Sequence, residues 1–141
     1  MTEHVAVAET EIHASPESVW RALTDPQEIE KYMFGSQVEA EWREGGYIVW
    51  RGQHEGRDYE DHGKILEFER PRRLRLTHFS AMSGKDDLPE NYHTILYELE
   101  EAGDMTKVRL SQDNNADADE AENSRATWQQ MLSGLKRLVE D

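Results

Sequence analysis

Alternating apolar and polar positions predict short β-strands along most of the chain. The clearest case runs from 73 to 78, where Leu74, Leu76 and His78 alternate with arginine and threonine. A period of two places neighbouring side chains on opposite faces, which is typical of a strand with one buried face. The same pattern predicts strands at 4–13, 37–42, 47–52, 63–68, 94–99 and around 108–110, a polar hairpin loop or strand edge at 53–61, and a loop at 81–90.

Two short helices are predicted directly after the first strand. Ser15 precedes a proline, an arrangement typical of a helix N-cap followed by proline at the first helical position. Asp25 precedes another proline and ends that helix, because a residue before proline is disfavoured in the helical region. We therefore expect helices at 16–24 and at about 27–33.

A long amphipathic helix is predicted at 117–140. Apolar side chains recur there at three- and four-residue spacing, which aligns them on one helix face: Trp128, Met131, Leu132, Leu135, Leu138 and Val139. Asp117 or Asp119 can cap its start, where acidic side chains suit the positive end of the helix dipole.

These elements, in this order, predict an α+β fold. Antiparallel strands followed by one long amphipathic helix favour a curved antiparallel sheet wrapped around that helix, with the two short helices after the first strand. A length of 141 residues is typical of one domain, and neither a repeat nor a change in composition divides the sequence. We therefore expect a single domain over residues 1–141.

Several segments carry a resemblance to a known family. They are 14–20 (ASPESVW) with 22–26 (ALTDP), 45–46 (GG), 63–67 (GKILE), 71–74 (PRRL) and 128–138. In this order they resemble the SRPBCC superfamily of START-like domains, and more closely the branch related to the C-terminal domain of the heat-shock-protein-90 ATPase activator. The resemblance covers nearly the whole chain and implies a helix-grip fold like that of the birch-pollen allergen. Such folds host ligand carriers, cyclases, hydrolases and co-chaperones.

Composition and charge narrow the classes of partner. The chain has 30 acidic and 16 basic side chains, a formal net charge of −14, which disfavours nucleic acid and anionic membranes. One dense basic cluster consists of Arg70, Arg72, Arg73 and Arg75. We interpret these arginines as partners of surface carboxylates. The absence of cysteine excludes disulfides and thiolate chemistry. With no long apolar run and no signal-peptide pattern, a cytoplasmic location is expected.

The alternation also predicts which side chains face the space between sheet and helix. A curved sheet that grips a helix leaves a cavity unless side chains fill it. Histidine and tyrosine share this face with leucines and need hydrogen-bond partners there, which favours a ligand cavity over the alternative, a filled core. The predicted lining is Ile48, Trp50, Leu76, His78, His93, Ile95, Tyr97 and Leu99 from strands and Trp128, Met131, Leu132 and Leu135 from the helix, with Tyr32, Met33 and Phe34 at the entrance.

Only one histidine pair, His78 and His93, suggests chemistry, because their strands can be neighbours. The sequence has no His-x-x-x-His or His-Glu-x-x-His spacing, so neither a metal site nor a cofactor is predicted. No nucleophile elbow or phosphate-binding glycine loop is present either, so no catalytic residue is assigned. A second polar group lies in or beside 53–61 and is interpreted as a solvated hairpin: His54, Glu55, Asp58, Asp61 and His62.

Three functions are compatible with this reading. The first is a module that binds a small apolar or aromatic molecule, with histidines and Tyr97 as hydrogen-bonding groups and tryptophans packing on the ligand. The second, implied by the resemblance, is a chaperone-associated interaction protein. The third and least favoured is an enzyme of the cyclase or hydrolase kind, because no residue that would orient a histidine base is apparent. A monomer or a homodimer is expected.

Overall fold

The computed structural model describes residues 4–80 and 84–140. Within them the elements are β1 (Ala6–Ile12), α1 (Pro16–Thr24), α2 (Pro26–Tyr32), β2 (Gln37–Ala40), β3 (Tyr47–His54), β4 (Arg57–Glu69), β5 (Arg73–His78), a 3₁₀ turn (Pro89–Asn91), β6 (His93–Ala102), β7 (Met105–Gln112) and α3 (Ala118–Glu140). The strands form one antiparallel sheet in the order β1-β7-β6-β5-β4-β3-β2. Since α1 and α2 connect its two edge strands and α3 packs against it, the expected α+β helix-grip fold is confirmed.

Each helix begins where a side chain caps it. Ser15 Oγ accepts a hydrogen bond from a backbone N–H three residues later at 3.2 Å. Asp25 Oδ1 accepts from the N–H of Gln27 at 3.0 Å, so α2 begins at Pro26, directly after α1. For α3, Asp117 rather than Asp119 is the cap, because its Oδ1 accepts from the N–H of Glu120 at 2.8 Å. These bonds satisfy N–H groups that have no partner inside the helix.

Of the two alternatives for the polar segment 53–61, a hairpin loop or a strand edge, the structure shows mostly strand with a two-residue turn. β3 continues to His54 and β4 begins at Arg57, which leaves only Glu55 and Gly56 for the turn. Both turn residues have a positive φ, 52° and 78°, the geometry of a two-residue hairpin turn that matches the twist of its strands. Of the other predicted loop, 81–90, residues 81–83 lie outside the described residues.

Strand β4 changes its partner near its centre. Its first part, up to Lys64, pairs with β3, and its last part, from Ile65, pairs with β5. Gly63 permits this change, because a Cβ at that position would lie 1.7 Å from the backbone oxygen of Thr77 on β5. Glycine is typical where two backbones approach so closely. The approach brings the first part of β4 alongside the end of β5.

Aliphatic side chains pack beneath the C-terminal half of α3. Six of them are at most 1% exposed and belong to one hydrophobic cluster: Ile12, Val108, Leu110, Met131, Leu132 and Leu135. We call these six residues the packed core. Complete removal of such side chains from water is the main source of folding free energy.

Three of the four arginines of the basic cluster are paired with carboxylates, as interpreted. Its ion pairs are Arg70–Glu17 at 2.9 Å, Arg73–Glu98 at 3.1 Å and Arg75–Glu67 at 2.6 Å. The hydrogen bond from Arg75 holds the pKa of Glu67 below its usual value. The charges of Arg70, Arg73 and Arg75 are therefore offset by neighbouring carboxylates. Among the described helices, none is long and apolar enough to cross a membrane.

Candidate functional site

A cavity of about 190 Å³ lies between the sheet, α2 and the N-terminal half of α3. Most of its wall is apolar and aromatic. Of the side chains expected at a cavity or its entrance, those that line it are Tyr32, Met33, Ile48, Trp50, Leu76, His78, His93, Ile95, Tyr97 and Trp128. They come from three strands, β3, β5 and β6, and from the α2 and α3 helix regions. The fold therefore has to be complete before this space exists.

Some expected lining residues lie elsewhere. Met131, Leu132 and Leu135 belong to the packed core, because the apolar stripe of α3 continues past the end of the cavity. Leu99 is 7% exposed and also lies outside the lining. Phe34, expected at the entrance, is 61% exposed. Its φ of 55° is unusual for a residue with a large side chain and turns the backbone after α2.

The alternation missed part of the cavity wall. The unanticipated lining residues are Leu23, Ile29, Ser36, Val38, Trp42, Tyr59, Asp61, Leu74 and Gln112. Asp61 was interpreted as solvated, but its side chain is only 14% exposed. Tyr59, Asp61 and Ile65 have the spacing of one strand face, and that signal becomes visible once 57–69 is treated as a strand.

One end of the cavity, which we call the histidine end, consists of Asp61, His78 and His93. His78 and His93 are directly paired across β5 and β6, and their ring centroids lie 6.3 Å apart with an angle of 24° between the planes. His78 Nε2 lies 3.0 Å from Asp61 Oδ2. His93 Nδ1 lies 2.8 Å from the carbonyl oxygen of Asp113. Asp61 thus orients His78, and the sequence pattern did not reveal this role of Asp61.

Two tyrosines on the cavity wall, Tyr32 and Tyr97, differ in their hydrogen bonds. They are 5% and 6% exposed, and Tyr32 donates its hydroxyl hydrogen to the carbonyl oxygen of Ala22 at 2.9 Å. Among the described residues, the Tyr97 hydroxyl has no hydrogen-bond partner, although none of their fully enclosed side-chain oxygens or nitrogens is unpaired. The Tyr97 hydroxyl therefore borders the cavity space. Burial raises the pKa of Tyr97, so this hydroxyl keeps its hydrogen and can donate it.

Four other polar side chains on the wall are paired with one another. The indole N–H of Trp128 donates to Oε1 of Gln112. Ser36 and Tyr59 share a hydrogen bond of 2.7 Å between their hydroxyls. The edge of the Trp50 ring packs against His78, with 4.8 Å between centroids. These contacts hold part of the aromatic wall in place, and the histidine end and Tyr97 are among the polar groups that face the cavity.

The next residue of β4, His62, faces the opposite side of the sheet. Its Nε2 lies 2.9 Å from Asp87 Oδ2 and 3.0 Å from the hydroxyl of Tyr92. The Tyr92 hydroxyl also donates a hydrogen bond to Oδ1 of Asp87. This Tyr92–Asp87 bond raises the pKa of Tyr92 to about 12 and lowers the pKa of Asp87. The polar group seen in the sequence is therefore divided, with Asp61 on the cavity and His62 on the outer surface.

Within residues 4–80 and 84–140, no group of three or more histidine, cysteine, aspartate or glutamate side chains could hold a metal ion. The histidine end offers two imidazoles and one carboxylate that is already bonded to one of them. What this arrangement offers is hydrogen bonding and proton acceptance, because each histidine has one ring nitrogen engaged by an oxygen.

Comparison with known proteins identifies the relatives of this fold. The family model described as Activator of Hsp90 ATPase homolog 1-like protein matches residues 13–140. A solution structure of ChR145 from Cytophaga hutchinsonii is 44% identical, with a TM-score of 0.85 over 96% of this chain and 93% of that one. No curated protein matches the chain.

More distant structures share the fold. The crystal structure of CV1439 from Chromobacterium violaceum is 23% identical, with a TM-score of 0.79 over 98% of each chain. The solution structure of the Aha1 dimer from Colwellia psychrerythraea is 21% identical, with a TM-score of 0.76 over 99% of this chain and 97% of that one.

Proposed function

The chain belongs to the family of Activator of Hsp90 ATPase homolog 1-like proteins, and on that premise we propose that it is a ligand-binding module whose cavity holds one small, ring-sized molecule. An engineered apolar cavity of about 150 Å³ in another protein binds benzene, so a cavity of about 190 Å³ has room for one ring with a small substituent. Sites for drug-sized ligands have about 300–1,000 Å³. The ligand is therefore smaller than a steroid or a lipid.

The observation that carries this proposal is the Tyr97 hydroxyl. It belongs to a side chain that is 6% exposed, lies on the cavity wall and has no partner among the described residues. Leaving a buried donor unsatisfied costs about 1–3 kcal/mol. A ligand or water inside the cavity that accepts its hydrogen removes this cost, whereas a cavity serving only as packing has no use for it.

The aromatic wall supports the same proposal. Trp42, Trp50 and Trp128 border the cavity, and flat rigid rings present large apolar faces to a second ring. The Trp128 N–H is already bonded to Gln112, so its indole contributes packing rather than a polar contact. A ligand with a ring is favoured over a flexible chain, because a chain loses more conformational entropy in so small a space.

The first test is native mass spectrometry of freshly purified protein, compared with its mass after denaturation. We expect an extra mass on the folded protein that disappears on unfolding, and the same spectrum distinguishes a monomer from a homodimer. As a second arm, saturating toluene should raise the melting temperature of the wild type, because a ligand that binds only the folded state stabilises it.

The matched control is Ile95→Phe, which places a ring in the middle of the cavity. Ile95 is 2% exposed and lies between His93 and Tyr97 on the inner face of β6. This variant should fold, and toluene should not raise its melting temperature. If Ile95→Phe does not fold, Leu76→Phe can replace it as the control. If the wild type carries no extra mass and its melting temperature is unchanged by toluene, the proposed function is wrong.

A second candidate function is binding to a protein partner, which the family name suggests and one surface feature favours. Phe34 is 61% exposed beside a polar groove that includes Arg51 and Glu60, and exposed aromatic side chains often anchor interfaces. If the partner is an Hsp90-type chaperone, adding this protein should raise that chaperone's ATPase rate, and Phe34→Ser should reduce the effect. An unchanged ATPase rate would exclude this role.

A further inference from the structure

We infer that the histidine end recognises a neutral hydrogen-bond donor, so that the ligand is a phenol. This inference rests on the proposed function, because it names the chemical class of molecule that the cavity takes. Its basis is the set of hydrogen bonds that fixes which ring nitrogen of each histidine carries a hydrogen.

His78 presents an acceptor to the cavity in its neutral form. Its Nε2 lies 3.0 Å from a carboxylate oxygen of Asp61. An ionised carboxylate only accepts hydrogen bonds, so Nε2 carries the hydrogen and donates it. Nδ1 of the neutral ring is then left with a lone pair, and among the described residues it has no hydrogen-bond partner.

His93 reaches the same state through a different partner. Its Nδ1 lies 2.8 Å from the carbonyl oxygen of Asp113, and a carbonyl oxygen also only accepts. The hydrogen therefore resides on Nδ1, and the lone pair resides on Nε2. Within the described part of the chain, Nε2 of His93 has no hydrogen-bond partner.

Two lone pairs thus lie on neighbouring strands at one end of an aromatic cavity. The two rings are cross-strand partners with centroids 6.3 Å apart, and both line the cavity. Neither nitrogen can donate to the other while both rings are neutral. A group that brings its own hydrogen, such as a hydroxyl on a ring, satisfies one nitrogen directly, and water or a second hydroxyl can satisfy the other.

Other ligand classes fit this end less well. An aromatic carboxylate has no hydrogen to donate and would meet two lone pairs beside the charge of Asp61, whose side chain is 14% exposed. An ammonium group would have to leave water for a mostly apolar wall, which is costly for a full charge. A metal ion would need a third protein ligand, and the described residues supply no such group of three.

The test compares three molecules of similar size at pH 8: p-cresol, 4-fluorotoluene and p-toluate. Calorimetric titration gives each dissociation constant. The phenol should bind the wild type about tenfold more tightly than the fluoro compound, which corresponds to about 1.4 kcal/mol and lies within the range of one hydrogen bond. p-Toluate should bind most weakly.

Two variants test whether the histidine end causes the preference for p-cresol. His93→Phe and His78→Leu each remove one acceptor, and the variant that removes the nitrogen bonded to the ligand hydroxyl should reduce the preference for p-cresol over 4-fluorotoluene to about twofold or less, while 4-fluorotoluene still binds. The matched control is His62→Phe, on the outer face of β4, which should keep the full preference. If either cavity variant does not fold, His78→Asn keeps an amide for Asp61 and an acceptor oxygen, and it should retain part of the preference.

The outcomes separate the two proposals. If 4-fluorotoluene and p-cresol bind equally, the cavity binds rings but the phenol assignment is wrong. If p-toluate binds most tightly, the histidine end recognises anions and the assignment is again wrong. If none of the three binds, the proposed function itself fails. A preference that survives in both cavity variants would also overturn the inference, because the selectivity would then come from another group.

Discussion

The packed core and the cavity lie under the same helix and on the same sheet, but they are built from different side chains. The packed core is aliphatic and at most 1% exposed. The cavity is bordered by rings, imidazoles and hydroxyls, several of which hold one another in fixed positions. Branched aliphatic chains interdigitate to high density, whereas rings held by hydrogen bonds cannot move inward to fill a gap. Close packing and open space therefore lie in different halves of one hydrophobic interior.

Leucine truncation in each half should show the largest difference. Leu132→Ala in the packed core should cost about 3–5 kcal/mol of unfolding free energy, because a fully enclosed side chain leaves a cavity behind. Leu76→Ala on the cavity wall should cost closer to 2 kcal/mol, because one side of Leu76 already borders open space. Urea denaturation measures both. Equal losses would mean that the cavity wall is packed as tightly as the core.

The two tyrosines of the cavity wall give a smaller and more specific contrast. Tyr32→Phe should destabilise the protein by about 1 kcal/mol, because it removes a hydrogen bond to the Ala22 carbonyl oxygen. Tyr97→Phe should leave the ligand-free protein at least as stable as the wild type, because its hydroxyl has no described partner to lose and an unsatisfied buried donor costs free energy. The same urea titrations decide this. A clear loss in Tyr97→Phe would reveal a partner for that hydroxyl in the ligand-free protein.

The smallest expected difference between the cavity wall and the packed core is in how the free energy of unfolding changes at alkaline pH. Burial raises the pKa of Tyr97 in the folded protein, so above pH 10 the unfolded chain releases a proton that the folded chain retains. The stabilising contribution is complete below pH 10 and decreases as the pH rises further. Tyr97→Phe should therefore lose less stability than the wild type between pH 9 and pH 11.

Leu132→Ala is the control for that measurement, because its site in the packed core has no titratable group. Its urea midpoint should fall in parallel with that of the wild type over the same pH range. Parallel curves for all three proteins would contradict a buried, protonated Tyr97.

The fold was predictable because the capping residues and the alternation agree. Ser15 and Asp25 form cap hydrogen bonds in the structure, and the same two residues predicted from the sequence where α1 begins and ends. β5 and β6 have apolar residues at every second position and were predicted nearly to their ends. β4 was predicted only over its second half, because the cavity-facing residues of its first half are Tyr59 and Asp61 rather than aliphatic ones.

The cavity was predictable in position but not in extent. His78 and His93 could be placed as neighbours from strand order, yet their partner Asp61 depends on the change of pairing at Gly63, which has no local signal. Along α3 the apolar stripe has the same period above the cavity and above the packed core. Periodicity therefore could not show that Trp128 lines the cavity while Leu132 does not.

The change of strand partner at Gly63 has a consequence for how such a protein can diverge. It brings together Asp61, His78 and His93 from three different strands, and none of these residues belongs to the packed core. Substitutions at these positions can alter the polar chemistry of the cavity wall while the main source of folding free energy stays intact. A descendant of this chain could therefore acquire a different wall by a few point mutations and still fold at every step of its evolution.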